Sequence, residues 1–334
     1  MVTKVNFPVG YYNFHKSKFF NYQLNRWYSL GHARLEDIKT IGEDIKTFDD
    51  YYYEFTEASK LAFKEGRLKN AATYLRAAEF LIAPDNPHKK SIYEKYLRIF
   101  NMAFEKENFE RHKIPYRNSY LSSIKIPSKI DEVKGTIVGI PGFDAFMEEF
   151  YGLWDYLSEH GYDVIAFEDP DQGASRRLYD QYFEHDFEKP TKAILDYFKV
   201  EKVIAFGVSM AGYWVLRAAA FEKRITKVIA MPPVYDWLEM TNAFNRKMAS
   251  WFYKNRKLTN VVAKMKMRVP ILRHAINNAC YIQNKKEPYD AVKWFIDMNK
   301  NHLQSELINQ DVLLLSGAND AFQPPVLVEK QKKH

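Results

Sequence analysis

A serine stands where an apolar, β-branched run of the chain gives way to a run of helix formers. Ser209 lies in the stretch Gly207-Val208-Ser209-Met210-Ala211. A sharp strand-to-helix turn would expose the hydroxyl and strain its backbone by about 1–3 kcal/mol. The amide of Met210, at the start of the helix, would then face a developing oxyanion. The pattern predicts a nucleophile for acyl transfer, against the alternative that the serine only caps the helix.

A carboxylate follows a later apolar run. In the stretch "DVLLLSGANDAF", Asp320 comes just past Asp311 to Ser316, on a turn-forming Gly-Ala-Asn-Asp sequence. This placement makes Asp320 a candidate functional acid, against the alternative that it caps a helix beginning near Pro324. Asp236, after the preceding strand, is the reserve candidate.

Short β-branched runs separated by helical stretches must position these groups. The predicted buried strands, which indicate a parallel, doubly wound sheet, are residues 136–140, 162–167, 202–208, 227–231 and 311–316. Since ligands lie at the carboxyl ends of parallel strands, Ser209 falls on the functional edge. The interval 237–307 is too long for one crossover and predicts a helical lid. Residues 1–113 read as a helical N-terminal domain, and residues 114–334 as the sheet domain.

Composition limits the class of protein. The chain of 334 residues is 46% hydrophobic with a net charge of +7, which is typical of a globular protein. We expect no membrane span and no signal peptide, and therefore a cytoplasmic location. The basic excess is concentrated in 241–270, with eight Lys or Arg and no acid. No nucleic-acid recognition module accompanies it, so we expect no nucleic-acid partner. With one cysteine and no dinucleotide, P-loop or H-E-x-x-H motif, we expect no cofactor and no metal.

Most of the chain from Ile114 to His334 resembles the α/β-hydrolase superfamily. The passages that carry the resemblance are "YLRAAEFLIAP", "PGFDAFMEEFYG", "GYDVIAFEDPDQGAS" and "FGVSMAGYW". The order and spacing of these passages are similar to those of a branch of the superfamily that has a helical N-terminal domain. This branch includes FrsA-like proteins, 2,6-dihydroxypseudooxynicotine hydrolase-like carbon–carbon hydrolases, and proteins labelled acylaminoacyl or dipeptidyl aminopeptidase-like.

The resemblance implies roles for individual residues. Ser209 would be the nucleophile and Asp320 the acid, and the oxyanion hole would combine the amides of Met210 and Phe143. Two departures stand out: Pro141 removes one backbone N–H from the oxyanion loop, and Asp171 replaces the glycine that is usual in the family's turn.

The family's histidine does not follow Asp320 at its usual distance of two to three dozen residues. Either the sequence is a fragment or truncated gene product, which we favour, or the triad is degraded. His334 and His185 are the remaining candidates for the base, which must lie within about 3 Å of the hydroxyl or one water away.

The resemblance therefore implies a serine hydrolase acting on an ester or amide of a small molecule or short peptide. One alternative is hydrolysis of a carbon–carbon bond beside a ketone, which would need an extra acid or base; Asp144 and Glu239 are the candidates. Another is a catalytically silent binding protein on the same fold. A homodimer stays open.

Overall fold

The computed structural model describes residues 7–239, 243–320 and 325–333. The chain divides into two compact units. The first comprises the described residues up to Asn108 together with Glu148–Tyr156, and the second comprises Phe109–Met147 and the described residues from Leu157 onward. The division falls near residue 108 rather than at 113, because a strand begins at Glu110.

The first unit is helical. Its helices before residue 108 are α1 (Lys18–Ser29), α2 (Leu35–Asp44), α3 (Phe48–Lys64), α4 (Leu68–Phe80) and α5 (Lys89–Ala103). A capping box between Thr47 and Asp50 begins α3. The buried alanines of α4 allow close packing, and the Ser59 hydroxyl donates to the Ala71 carbonyl at 2.7 Å. Small side chains thus explain the tight α3–α4 pair.

A mixed seven-stranded sheet forms the core of the second unit. Its strands are β1 (Glu110–Tyr116), β2 (Ser119–Ile126), β3 (Gly135–Ile140), β4 (Tyr162–Phe167), β5 (Val203–Val208), β6 (Ile225–Met231) and β7 (Asp311–Leu314), in the order β1-β2-β4-β3-β5-β6-β7. The neighbouring strands β4, β3, β5, β6 and β7 all pair in parallel. The five predicted strands are all present, within a few residues of their predicted bounds. The prediction that all five are buried is wrong for β7, which lies at the edge of the sheet and is mostly exposed.

The β1–β2 hairpin is the part of the sheet that the sequence analysis missed. β1 and β2 pair antiparallel, and β2 adds antiparallel to β4. The charged sequence of β1, with Pro115 near its end, lacks the apolar alternation that indicates a strand.

The connections between the parallel strands are helical. They contain α6 (Tyr151–Glu159), α7 (Gly173–Arg177), α8 (Glu188–Phe198) and α9 (Ala211–Phe221). Because β4 lies on one side of β3 and β5 on the other, the strand order reverses between β3 and β5. The crevice at the carboxyl ends of these two strands is where ligands bind in open α/β sheets.

The predicted helical insertion lies between β6 and β7. It contains α10 (Ala243–Tyr253), α11 (Arg256–Lys266), α12 (Pro270–Ile282), α13 (Pro288–Asp297) and α14 (Lys300–Leu303), and α15 (Pro325–Gln331) follows β7. In the described part of the chain, no helix combines the length and the apolar character needed to cross a membrane.

Candidate active site

Ser209 occupies the turn between β5 and α9 with a left-handed backbone. Its φ is +58°, a conformation that a non-glycine residue adopts only under strain. Its backbone N–H donates to the Met231 carbonyl at 2.5 Å, which fastens the turn to the end of β6. The residue is exposed, and its hydroxyl makes no hydrogen bond within the described residues. The side chain therefore stands free at the carboxyl edge of the sheet.

Three glycines make room for this turn. A β-carbon on Gly207 would lie 2.1 Å from the Ala211 carbonyl oxygen, and one on Gly212 would lie 2.2 Å from that of Pro232. A β-carbon on Gly142 would lie 2.7 Å from that of Ser209. The loop after β3 therefore passes directly beside Ser209, and side chains at these positions would push the turn open.

Two backbone amides belong to the segments next to Ser209. Met210 immediately precedes α9, and Phe143 follows Gly142 in the loop after β3. Neither amide donates a hydrogen bond within the described residues. Unused N–H groups beside a nucleophile are the arrangement that an oxyanion hole requires. The Phe143 ring packs against Phe295 of α13, with the ring centroids 5.5 Å apart.

The loop after β3 is braced by Gln172, a fully buried residue that the sequence analysis did not single out. Its side-chain amide donates to the Pro141 carbonyl at 2.8 Å and also to the Gly142 carbonyl. Its side-chain oxygen accepts from the Asp169 N–H at 3.0 Å. Gln172 thus connects the loop after β4 to the loop that carries Phe143.

Asp144 anchors the same loop and does not present a free acid. It is fully buried, and one carboxylate oxygen accepts from Arg177 of α7 at 2.9 Å. The other accepts from Asn278 of α12 at 3.0 Å. As a candidate pocket acid, Asp144 is therefore occupied in an ion pair, and the insertion is tied to the loop after β3.

Asp169 and Asp171 form a buried pair of carboxyls after β4. Both are fully buried, and their side-chain oxygens receive no hydrogen bond from a donor in the described residues. Burial raises the pKa of both groups well above the usual range, and the charge of Asp171 adds to the effect on Asp169. The charge of Glu184 also raises the pKa of Asp169, whereas that of Arg117 lowers it. Asp144 raises the pKa of Asp171, and Arg177 lowers it. Each carboxyl therefore favours its protonated form more than a free aspartic acid does. The substitution of Asp171 for the family's glycine thus places a second acid beside a buried one.

Asp320 lies on the loop after β7, two strands along the sheet from β5. Asp236 lies after β6, the strand directly beside β5. Its carboxylate is buried and accepts from the Leu238 amide at 2.8 Å, and burial raises its pKa.

Glu239 is also engaged in ion pairs. It accepts from Arg246 at 2.8 Å and contacts Lys330 of α15. The hydrogen bond from Lys330 lowers the pKa of this carboxyl. Like Asp144, it is held as a carboxylate by neighbouring cations.

His185 lies away from the serine. It stacks on Trp294 with ring centroids 4.4 Å apart, and burial lowers its pKa to about 4. The adjacent Asp186 lies 3.7 Å from Arg217 of α9, which is eight residues beyond Ser209 and so about 12 Å away along the helix. His334 lies outside the described residues.

Comparisons with known proteins agree with this architecture. A family model described as the alpha/beta hydrolase fold matches residues 135–264, which hold β3 to β6 and Ser209. Two solved structures share the fold over most of the chain. AbyA5 has a TM-score of 0.70 and 14% identity, and the match covers 90% of this chain and 80% of that chain. 2,6-dihydroxy-pseudo-oxynicotine hydrolase has a TM-score of 0.66 and 15% identity, and the match covers 92% of this chain and 84% of that chain.

Curated fungal relatives carry hydrolase names. Hydrolase LUC6 of Fusarium sp is 30% identical over 203 residues, 54% of this chain and 47% of its own length. Hydrolase acrC of Aspergillus aculeatus is 23% identical over 336 residues, 89% of this chain and 74% of its own length. The match to LUC6 spans about half of that relative.

Proposed function

We propose that this chain, whose fold is that of the α/β-hydrolase superfamily, is a serine hydrolase that cleaves an ester or amide through an acyl-serine at Ser209. The observation that carries the proposal is the exposed Ser209 at a φ of +58°, between β5 and α9. A strained backbone costs stability, and such strain is concentrated at functional sites.

The proposed chemistry follows from the groups around the hydroxyl. Ser209 Oγ attacks the carbonyl carbon as a base takes its proton, and the oxyanion that forms accepts hydrogen bonds from the Met210 and Phe143 amides. The intermediate then expels the alcohol or amine, which takes the proton from the base, and water releases the acyl group by the same steps. Asp320 is the proposed acid that orients the base.

Ester or amide hydrolysis fits the site better than carbon–carbon cleavage. The latter reaction needs an additional acid or base in the pocket. Asp144 is paired with Arg177, and Glu239 with Arg246 and Lys330. Neither carboxylate is available to exchange a proton with a substrate without breaking an ion pair.

Labelling with a fluorophosphonate probe tests the nucleophile and separates a hydrolase from a silent binding protein on the same fold. We expect peptide mapping to place the label on Ser209, and Ser209→Ala to abolish it. Gly142→Ala should also block labelling, because its new methyl group would lie against the Ser209 β-carbon. Gly317→Ala, where nothing lies closer than 3.9 Å, is the matched control. Labelling of a different residue, or none at Ser209, would contradict the proposal.

Turnover of p-nitrophenyl acetate tests the base. We expect weak turnover, with labelling by the probe correspondingly slow, because the Ser209 hydroxyl has no hydrogen-bond partner in the described residues that would activate it. Robust turnover that Ser209→Ala abolishes would show that a base reaches the serine. Separate His185→Gln and His334→Gln variants would then identify it.

A further inference from the structure

The helices of the insertion surround an apolar groove that the proposed chemistry does not use. Its volume is about 560 Å³, within the range of small-molecule sites. α11 contributes Thr259, Val262, Ala263 and Lys266, which recur at the spacing of one helix face. α10 and α13 contribute mostly apolar side chains opposite this face. Three amphipathic helices therefore turn their apolar stripes toward a space that they do not fill.

Most polar groups of the groove are satisfied by neighbouring residues. The Thr259 hydroxyl donates to the Phe252 carbonyl at 2.6 Å, and the Tyr289 hydroxyl to the Tyr253 carbonyl at 2.8 Å. Lys293 pairs with Asp297 at 2.5 Å. These groups shape the wall and leave little hydrogen-bonding capacity for a polar ligand.

Lys266 is the exception. Its ammonium group has no ion pair or hydrogen bond to any residue that the structure describes, and the residue is exposed where α11 ends. Two nearby cations of the basic segment are paired: Arg256 with Asp290 at 2.8 Å, and Lys264 with Glu287 at 3.6 Å. An apolar groove with one unpaired cation at its edge is complementary to a long apolar molecule that carries one negative charge.

We propose that this groove binds a straight-chain aliphatic monocarboxylate, with the hydrocarbon chain along the apolar stripes and the carboxylate on Lys266. The lining offers too few polar contacts for a sugar or nucleotide. A single unpaired lysine matches a monoanion. The occupant is a free, monomeric carboxylate, whose chain the walls can enclose.

The groove is separate from the site at Ser209. α13 forms a wall between them: Val292 and Ile296 line the groove, whereas Trp294 and Phe295 pack on the sheet unit. Carboxylate binding should therefore persist in the Ser209→Ala variant. Failure of the proposed hydrolysis would not affect it.

Isothermal titration with octanoate, decanoate and dodecanoate below their critical micelle concentrations tests the proposal, with decanol as the neutral comparison. We expect one site per chain and an affinity that increases about fourfold for each added methylene buried. Decanoate should bind more tightly than decanol. Lys266→Gln should remove that preference, weakening decanoate about threefold. Lys257→Gln is the matched control, because Lys257 is an exposed lysine of the same helix that does not line the groove.

Filling the groove provides a second test. Ala263→Trp, from its buried floor, should abolish binding of both decanoate and decanol. Ala249→Trp does the same from α10 if the first variant does not fold, as judged by circular dichroism. The proposal is overturned by non-saturable binding, by affinity independent of chain length, by an unchanged decanoate affinity in Lys266→Gln, or by binding to anionic phospholipid vesicles without binding of monomeric carboxylates.

Discussion

Replacing Ser209 with glycine should stabilise the protein while destroying the proposed nucleophile. At a φ of +58°, a residue with a β-carbon pays about 1–2 kcal/mol for the left-handed conformation. Glycine removes that strain but loses about 0.5–1 kcal/mol more conformational entropy on folding. The net gain in the free energy of unfolding is therefore about 0.5–1 kcal/mol. Ser209→Ala keeps the β-carbon and should give no such gain.

Urea unfolding followed by circular dichroism measures the difference between the glycine and alanine variants. At position 209 we expect glycine to be more stable by about 1 kcal/mol. Lys199 is a matched site, because it is exposed with a φ of +54°, and the same sign is expected there. Ala220→Gly, within α9, should show the opposite sign and cost about 1 kcal/mol. If glycine is no more stable than alanine at 209 but is at 199, Ser209 does not occupy the strained turn, and the reasoning for a nucleophile fails.

Further predictions concern the residues around this turn. Gly212→Ala should destabilise the protein by about 1–3 kcal/mol, because its β-carbon would lie 2.2 Å from the Pro232 carbonyl oxygen; Gly317→Ala should change the urea midpoint little. Asp171→Asn should increase stability at neutral pH. The pKa of this carboxyl is raised in the folded state, so folding takes up a proton above the unfolded pKa. Asp171 therefore does not destabilise the protein below the unfolded pKa, and destabilises it increasingly as pH rises toward the folded pKa. The gain should therefore vanish below about pH 4, which urea unfolding of both proteins at pH 4 and pH 7 measures.

Local patterns predicted the parts of the fold that depend on local chemistry. The β-branched runs identified β3 to β6 because buried parallel strands are apolar on both faces. β7 carries the same apolar pattern, although it is mostly exposed at the edge of the sheet. The strand-to-helix turn at Ser209 was also predictable, since glycine at 207 and alanine at 211 stand at fixed offsets from the serine. β1 could not be found this way, because an exposed edge strand carries charged residues.

The bracing of the site depends on contacts between distant residues, which no local pattern encodes. Gln172 meets the carbonyls of Pro141 and Gly142 some 30 residues away, and Asn278 meets Asp144 across 134 positions. The sequence indicated Asp144 only as a pocket acid, because its ion pair with Arg177 becomes visible only when the loops after β3 and β4 meet.

Hydrogen bonds between α12 and residues of the sheet domain restrict how the insertion can move. Asn278 is bonded to a fully buried carboxylate, and the Tyr281 carbonyl accepts from Arg176 at 2.9 Å. Releasing this helix would strand buried charges, at a cost of several kcal/mol. α11, by contrast, packs mainly on other helices of the insertion. α10 and α11 can therefore move more easily than α12 within the insertion.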